Sequence, residues 1–266
     1  MQLNKVEIQK FQEMVWGYYR EHGRELPWRE EPFDAYRILV SEIMLQQTQV
    51  SRVIPKYHSF LKRFPTIDDL AKASIGDVLR EWSGLGYNRR AKYLHEAAKQ
   101  LLSMARTWKV EDLEACKGIG KNTAAAICVY AYNQPLVFIE TNIRTVYIHH
   151  FFEEEDNISD SDLLPLLEQT IDREHPRKFM WALMDCGTHL KKTAGITASR
   201  SKHYSPQSKF EGSLRQIRGE VLRQLLGSSK TERRLVDIIN DSRLKTALAQ
   251  LSAEGLIIKE GSRYHL

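Results

Sequence analysis

The chain has 266 residues, 42% of them hydrophobic, enough for one large or two modest domains with a well-packed core. No apolar run approaches the ~20 residues of a membrane span. The N-terminus, MQLNKVEIQKF, lacks the apolar centre of a secretory signal, so the expectation is a soluble, cytoplasmic protein with no membrane partner. The net charge of +5 is unevenly spread: from Gly187 onward 15 Lys and Arg stand against 7 Asp and Glu, while the preceding part carries 24 against 27. A basic C-terminal third suits a phosphate-bearing partner, although solvated basic faces are also common in proteins that bind nothing anionic. Cys116, Cys128 and Cys186 show no C-x-x-C spacing and read as small core residues rather than as a disulfide framework or a thiolate cluster.

In chain order, positions 5 to 21 put Val6, Ile8, Phe11, Met14, Val15 and Tyr18 at helical spacing and predict a packing helix that ends near Gly23. Pro27 then forbids helix continuation in LPWR, where Trp28 is a core anchor or a rim aromatic and Arg29 a surface charge or something more. Asp34 to Phe60 is helical in pattern, interrupted by Gln46, Gln47, Thr48 and Gln49. Within it Glu42 is either a half-buried carboxylate suited to general-acid work or a surface Glu beside surface glutamines. Helices follow at 66–73, 75–82 and 89–104. The turn before the last of these, Gly84-Leu85-Gly86-Tyr87-Asn88-Arg89-Arg90, places two cations at a helix N-terminus, which calls for an external anion or a solvated basic turn.

The stretch from Leu113 to Val146 organises the rest. A short helix runs into Lys117-Gly118-Ile119-Gly120, and an Ala-rich helix opens at Asn122 or Thr123, the pattern of a helix-hairpin-helix. Its glycines permit close backbone approach, and the free N–H groups opening the second helix can take a phosphate. A plain helical connector has the same pattern. A loop then delivers Glu140 and Asn142 to a further helix. Two more helices fit between Asp162 and Leu190, with almost no strand signal. Residues 193–210 are polar and basic and read as a linker or ordered surface loop. From 211 onward three helices (213–226, 231–239, 243–254) and two short strands around Gly261-Ser262 suggest a winged-helix-like module. Its third helix, with Arg243 and Lys245, and its wing, with Lys259 and Arg263, would face DNA if the module is not instead a protein-interaction element.

LPWR at 26–29 with SEIMLQQTQV at 41–50, GLGYNRRA at 84–91, and the hairpin with FIETNIRTV at 138–146 together resemble the helix-hairpin-helix DNA glycosylases of the endonuclease III superfamily, and most closely its A/G-specific adenine glycosylases. The resemblance covers about residues 10 to 190. It implies an all-α, two-lobed glycosylase fold over 1–192, a basic linker over 193–210 and the winged-helix-like module over 211–266. Glu42 then falls at the acid that protonates the departing adenine, Gln47 at the residue that wedges into the duplex as the base is flipped, and Asn142 at an asparagine near the sugar. The DNA-binding set it implies is Gln46, Gln47, Gly86, Tyr87, Arg89, Gly118, Gly120, Lys121, Asn122 and Thr123, with a monovalent cation, Na or K, at the backbone carbonyls of Glu114, Cys116 and Ile119.

Four departures qualify the resemblance. The family's catalytic aspartate falls at Glu140, one methylene longer, still an anion able to stabilise an oxocarbenium-like sugar. The lysine of bifunctional members is replaced by Asn122, whose amide cannot form a Schiff base, and Lys121 points ~100° away on a helix. No cysteine follows Cys186, so the iron–sulfur cluster of many relatives is expected to be absent, with Lys202, His203, Tyr204 and Lys209 taking over its structural and DNA-facing role. The oxidised-guanine reader is replaced by the shorter module. The expected function is monofunctional removal of adenine opposite guanine or 8-oxoguanine from double-stranded DNA in base excision repair, with no obligate protein partner. The alternatives are thymine, uracil or a modified base on the same fold, and a non-catalytic structure-specific DNA-binding protein or transcription factor.

Overall fold

The computed structural model describes residues 1–104, 107–152, 155–193, 198–206 and 209–266. They form two compact units threaded by one chain: unit 1 takes 1–38, 109–114 and 120–206, and unit 2 takes 39–108, 115–119 and 207–266. The helices, in order, are α1 Lys5–His22, α2 Ala35–Leu45, α3 Val50–Arg63, α4 Ile67–Lys72, α5 Ile75–Trp82, α6 Arg89–Leu102, α7 Val110–Glu114, α8 Lys121–Tyr132, α9 Thr141–Phe151, α10 Asp160–Thr170, α11 Pro176–Thr193, α12 Leu214–Gly227, α13 Glu232–Ile239 and α14 Leu244–Ala253. Strands β1 Lys230–Thr231, β2 Ile258–Glu260 and β3 Arg263–His265 form an antiparallel sheet in the order β1-β3-β2.

In unit 1, α1 starts on a capping box of Asn4 and Glu7 and buries Phe11 and Val15. Val6 and Met14, expected on the same apolar face, are exposed, because the buried stripe is narrower than the spacing suggests. Helix α11 packs on α9 and α1, and α10 on both of the same two. Trp28 is buried. Arg29 is no surface charge: with Arg24 it grips Asp185 of α11, at 2.8 and 2.6 Å, and its guanidinium lies 5.2 Å from the Trp181 ring centre. Burial pushes the Asp185 carboxyl up, but hydrogen bonds from Arg29 and Arg24 outweigh it and hold its pKa below the usual value.

The expected linker is partly a built element. Ser201 bridges Ile158, the Lys202 N–H donates to the Ile158 carbonyl at 2.9 Å, and the Arg200 guanidinium donates to the carbonyls of Phe152 and Glu155. Residues 194–197 and 207–208 of that stretch lie outside the described residues.

In unit 2, α4 and α5 pack on α6, and α3 on α5. The chain breaks helix at 46–49, which divides the Asp34–Phe60 pattern into α2 and α3. Residues 207–266 belong to this same unit, with α12 resting on α14, α13, α5 and β3. The terminal hairpin gains β1 as a third strand, too short at two residues for any periodicity to announce. Arg243 caps α14 in an ion pair with Asp241 at 2.8 Å and donates to the Gly212 carbonyl, so it braces the module.

Candidate active site

Glu42 stands in the last turn of α2 and is buried at 9% exposure, so the surface alternative does not hold. Immediately after it the chain makes the turn Gln46–Gln49, with Gln47 in the left-handed region at φ 56°. A non-glycine residue there is strained unless its surroundings hold it, and the holder is Arg90. Its guanidinium donates to the carbonyls of Ile43 and Met44 at 2.9 Å each, to those of Gln46 and Gly86, and to Thr48 Oγ1 at 2.9 Å. Apart from Gly86, which lies in the turn before α6, these groups are the orphan carbonyls at the C-terminus of α2 and the turn that follows it, so one buried side chain closes the helix and shapes the loop. Burial without a carboxylate lowers the Arg90 pKa to about 10. An external anion or a solvated basic turn was expected for the paired arginines, but Arg90 is spent on internal carbonyls and Arg89 pairs with Glu254. The signal was in the spacing: Arg90, Leu94, Ala97, Ala98 and Leu101 form the buried face of α6.

The GLGY turn lies against the same brace. Gly84 and Gly86 take φ of 96° and 73°, and Tyr87, an aromatic, takes 46°. The Tyr87 ring is flanked by the guanidiniums of Arg90 at 5.5 Å and Arg215 of α12 at 5.0 Å, and Arg215 donates to the Tyr87 hydroxyl. Gly118 of the hairpin turn also belongs to this unit. Its φ is 89°, and a Cβ there would fall 2.3 Å from the Tyr93 ring, so only glycine lets the turn close on α6. Gln46 Nε2 approaches the Gly118 carbonyl at 3.5 Å. Unit 2 thus gathers Glu42, Gln46, Gln47, Gly86, Tyr87, Arg89 and Gly118.

Unit 1 gathers the others. Gly120 caps α8, and Lys121 and Asn122 are exposed on its first turn with Thr123 beside them. Asn122 was expected on DNA, yet its side-chain amide is bound inward: Nδ2 donates to the Ile139 carbonyl at 2.9 Å, and Oδ1 accepts from the Ile139 N–H at 3.4 Å. That fixes the strand-like approach to Glu140, which is the N-cap of α9. Burial raises the Glu140 pKa and the Arg144 guanidinium opposes the rise. Arg144 is in turn held by Asp160 at 2.7 Å.

Asn142 is held from α11. Lys191 Nζ donates to its Oδ1 at 2.8 Å, and Gly187 packs so closely that a Cβ would lie 2.1 Å from the Asn142 carbonyl oxygen. Burial and Arg144 lower the Lys191 pKa. Lys191, unremarkable in a basic stretch, is the site residue that only the packing identifies. Lys202 and His203 lie by the start of α10, and Lys209 is exposed in unit 2. Of the carbonyls expected to hold a cation, that of Cys116 already accepts the Ile119 N–H at 3.1 Å, which leaves one lone pair. Three buried cysteines, with Cys128 and Cys186 pushed up to about 11 by burial, do not fit a cluster that needs four thiolates.

Residues 40–170 match the model of the HhH-GPD superfamily of base excision DNA repair proteins. Along its length the chain is 33% identical over 272 residues to the adenine DNA glycosylase of Mycobacterium tuberculosis, covering 91% of this chain and 88% of that protein. The chain belongs to the adenine DNA glycosylase family. It is a DNA N-glycosylase of that family, and it is also 37% identical over 185 residues to the adenine DNA glycosylase of Buchnera aphidicola, covering 66% of this chain and 52% of that one. A thermostable thymine-DNA glycosylase superposes with a TM-score of 0.60 over 68% of this chain and 85% of that one, at 24% identity, a likeness of fold alone. The match to the mycobacterial relative leaves out fewer residues than the winged-helix-like module contains, so it extends into the sequence of that module.

Proposed function

We propose that this glycosylase binds double-stranded DNA, flips adenine opposite guanine or 8-oxoguanine, and hydrolyses its N-glycosidic bond without cleaving the strand. The observation that carries the reading is the buried Glu42 at the C-terminal end of α2, beside the Arg90-braced Gln47 turn, in a chain of this family. The negative end of a helix dipole opposes a carboxylate charge and so favours the neutral acid that proton donation to adenine N7 requires. Glu140 has the reverse placement. At the N-terminus of α9, with Arg144 near, the ionised form is supported against burial, as suits an anion facing a sugar cation.

Asn142, held by Lys191, presents its amide beside that carboxylate's helix start. Gln47 wedges into the duplex, and the positive end of the α8 dipole takes a backbone phosphate, with Lys121 adding charge. A monovalent cation at the carbonyls of Glu114, Cys116 and Ile119 belongs to the same reading. Asn122 in place of an amine supports hydrolysis without lyase chemistry.

The test is single-turnover base release from duplexes carrying A opposite 8-oxoguanine, A opposite G, T opposite G and U opposite G, with hot alkali added to half of each sample. Alkali-dependent breakage of the adenine strand is expected. Breakage without alkali, or confined to the thymine or uracil strand, overturns the reading.

A further inference from the structure

Unit 2 contains a cavity of about 460 Å³ walled by Gln46, Gln47, Gly118, the first turn of α6 and α12. Four of its lining residues are arginines, Arg89, Arg90, Arg215 and Arg218, and none is acidic. The carboxylate nearest this set, Glu254, is not part of the lining; it takes Arg218 at 2.5 Å, Arg89, and through its backbone carbonyl Lys92 at 2.6 Å. The lining thus carries four guanidiniums and no carboxylate, and the Glu254 carboxylate behind it meets two of them. Arg215 is aimed by the Tyr87 ring and hydroxyl, which removes much of the entropy a long side chain otherwise loses on binding.

We propose that this cavity is a DNA-backbone site in which Arg215 and Arg218 of α12 hold a phosphate of the strand that passes Gln47 and Gly118, so that the C-terminal module engages DNA through its first helix. The two elements expected to face DNA on winged-helix grounds do not line this cavity. Arg243 is paired and bound to a backbone carbonyl, Lys259 lies 5.4 Å from the Tyr264 ring centre, and Arg263 donates to Ser229. Arg215 and Arg218 line the same cavity as the glycosylase turns, which is what a continuous backbone track requires. The inference rests on the DNA glycosylase reading above.

The experiment measures the affinity of the full chain for a duplex bearing a tetrahydrofuran abasic site opposite guanine, at a series of KCl concentrations. A phosphate contact adds about one to the slope of log affinity against log salt, so R215A and R218A are each expected to weaken binding and to lower that slope by about one. E254Q, which frees Arg218 and Arg89 without removing a cation, is expected to keep or raise the slope. An unchanged slope in R215A and R218A, with a fall in K245A and K259A, overturns the proposal in favour of the third helix and wing. Unchanged slopes in all four overturn it in favour of a module that does not touch the backbone. Thermal melts of each variant separate a binding loss from unfolding. Because the probe holds no base to release, the slopes stand independently of the base-release assay, and either result can fail without the other.

Discussion

The two carboxylates proposed to do the chemistry, Glu42 and Glu140, are held in opposite ways. Glu42 lies inside the closing turn of a helix whose end is locked by a buried guanidinium making five close contacts. Glu140 lies at the opening of a helix, with no hydrogen bond from its side chain to the helix start and with its electrostatics set by Arg144 and by burial. The contrast teaches that two chemically similar groups meet opposite ends of a helix dipole, which opposes the charge of Glu42 and supports that of Glu140 against burial.

The strongest way to break the comparison is Glu42→Gln. Loss of the acid is expected to slow adenine release by ~10²–10⁴-fold in single turnover with an unchanged melting temperature. Full activity in that variant would remove Glu42 from the chemistry. Next in size is Arg90→Met, which strands the carbonyls of Ile43, Met44, Gln46 and Gly86. Urea unfolding should show a loss of roughly 3 kcal/mol or more, and Arg90→Lys should recover little of it, since an ammonium lacks the planar fork.

The Glu140 side of the comparison is sharpened by pH. Because its pKa is raised, the working anion is lost as pH falls through a value above the ordinary glutamate range, so the acid limb of the single-turnover rate should lie there. Arg144→Met should move that limb further up. The same raised pKa means that folding favours the protonated form, which stabilises the protein at low pH and loses that contribution as pH rises. Glu140→Gln is therefore expected to raise the melting temperature at neutral pH and to change it little in acid, alongside its loss of activity. The smallest effect should come from Asn122→Ala. It removes two bonds to the Ile139 backbone and should cost about 1 kcal/mol in denaturant unfolding, with a slower chemical step and little change in DNA affinity.

Much of this was legible in the chain. The 3.6-residue spacing marks α1, the Gly-rich punctuation marks the hairpin, and Pro27 marks the loop before α2. Glu42 and Glu140 stand out because each interrupts an apolar stretch with a carboxylate. What escaped was every role that depends on a partner distant in sequence. Arg90 looked like half of a solvent-facing pair, Arg29 like a surface charge, Lys191 like one of many basic residues, and Arg215 carried no motif. Each acquires its role from groups 42 to 156 residues away, or from carbonyls that no residue type advertises.

The amino-acid sequence by itself determined the helices, the turns that need glycine, the two carboxylates, an amide rather than an amine at position 122 and a total of three cysteines. Those are local or compositional properties, decided by backbone sterics, hydrophobic period and side-chain chemistry. Only the tertiary structure decided which cations serve the fold. A guanidinium's task depends on whether carbonyls, a carboxylate or open solvent surround it, and that surrounding comes into existence only when distant segments pack.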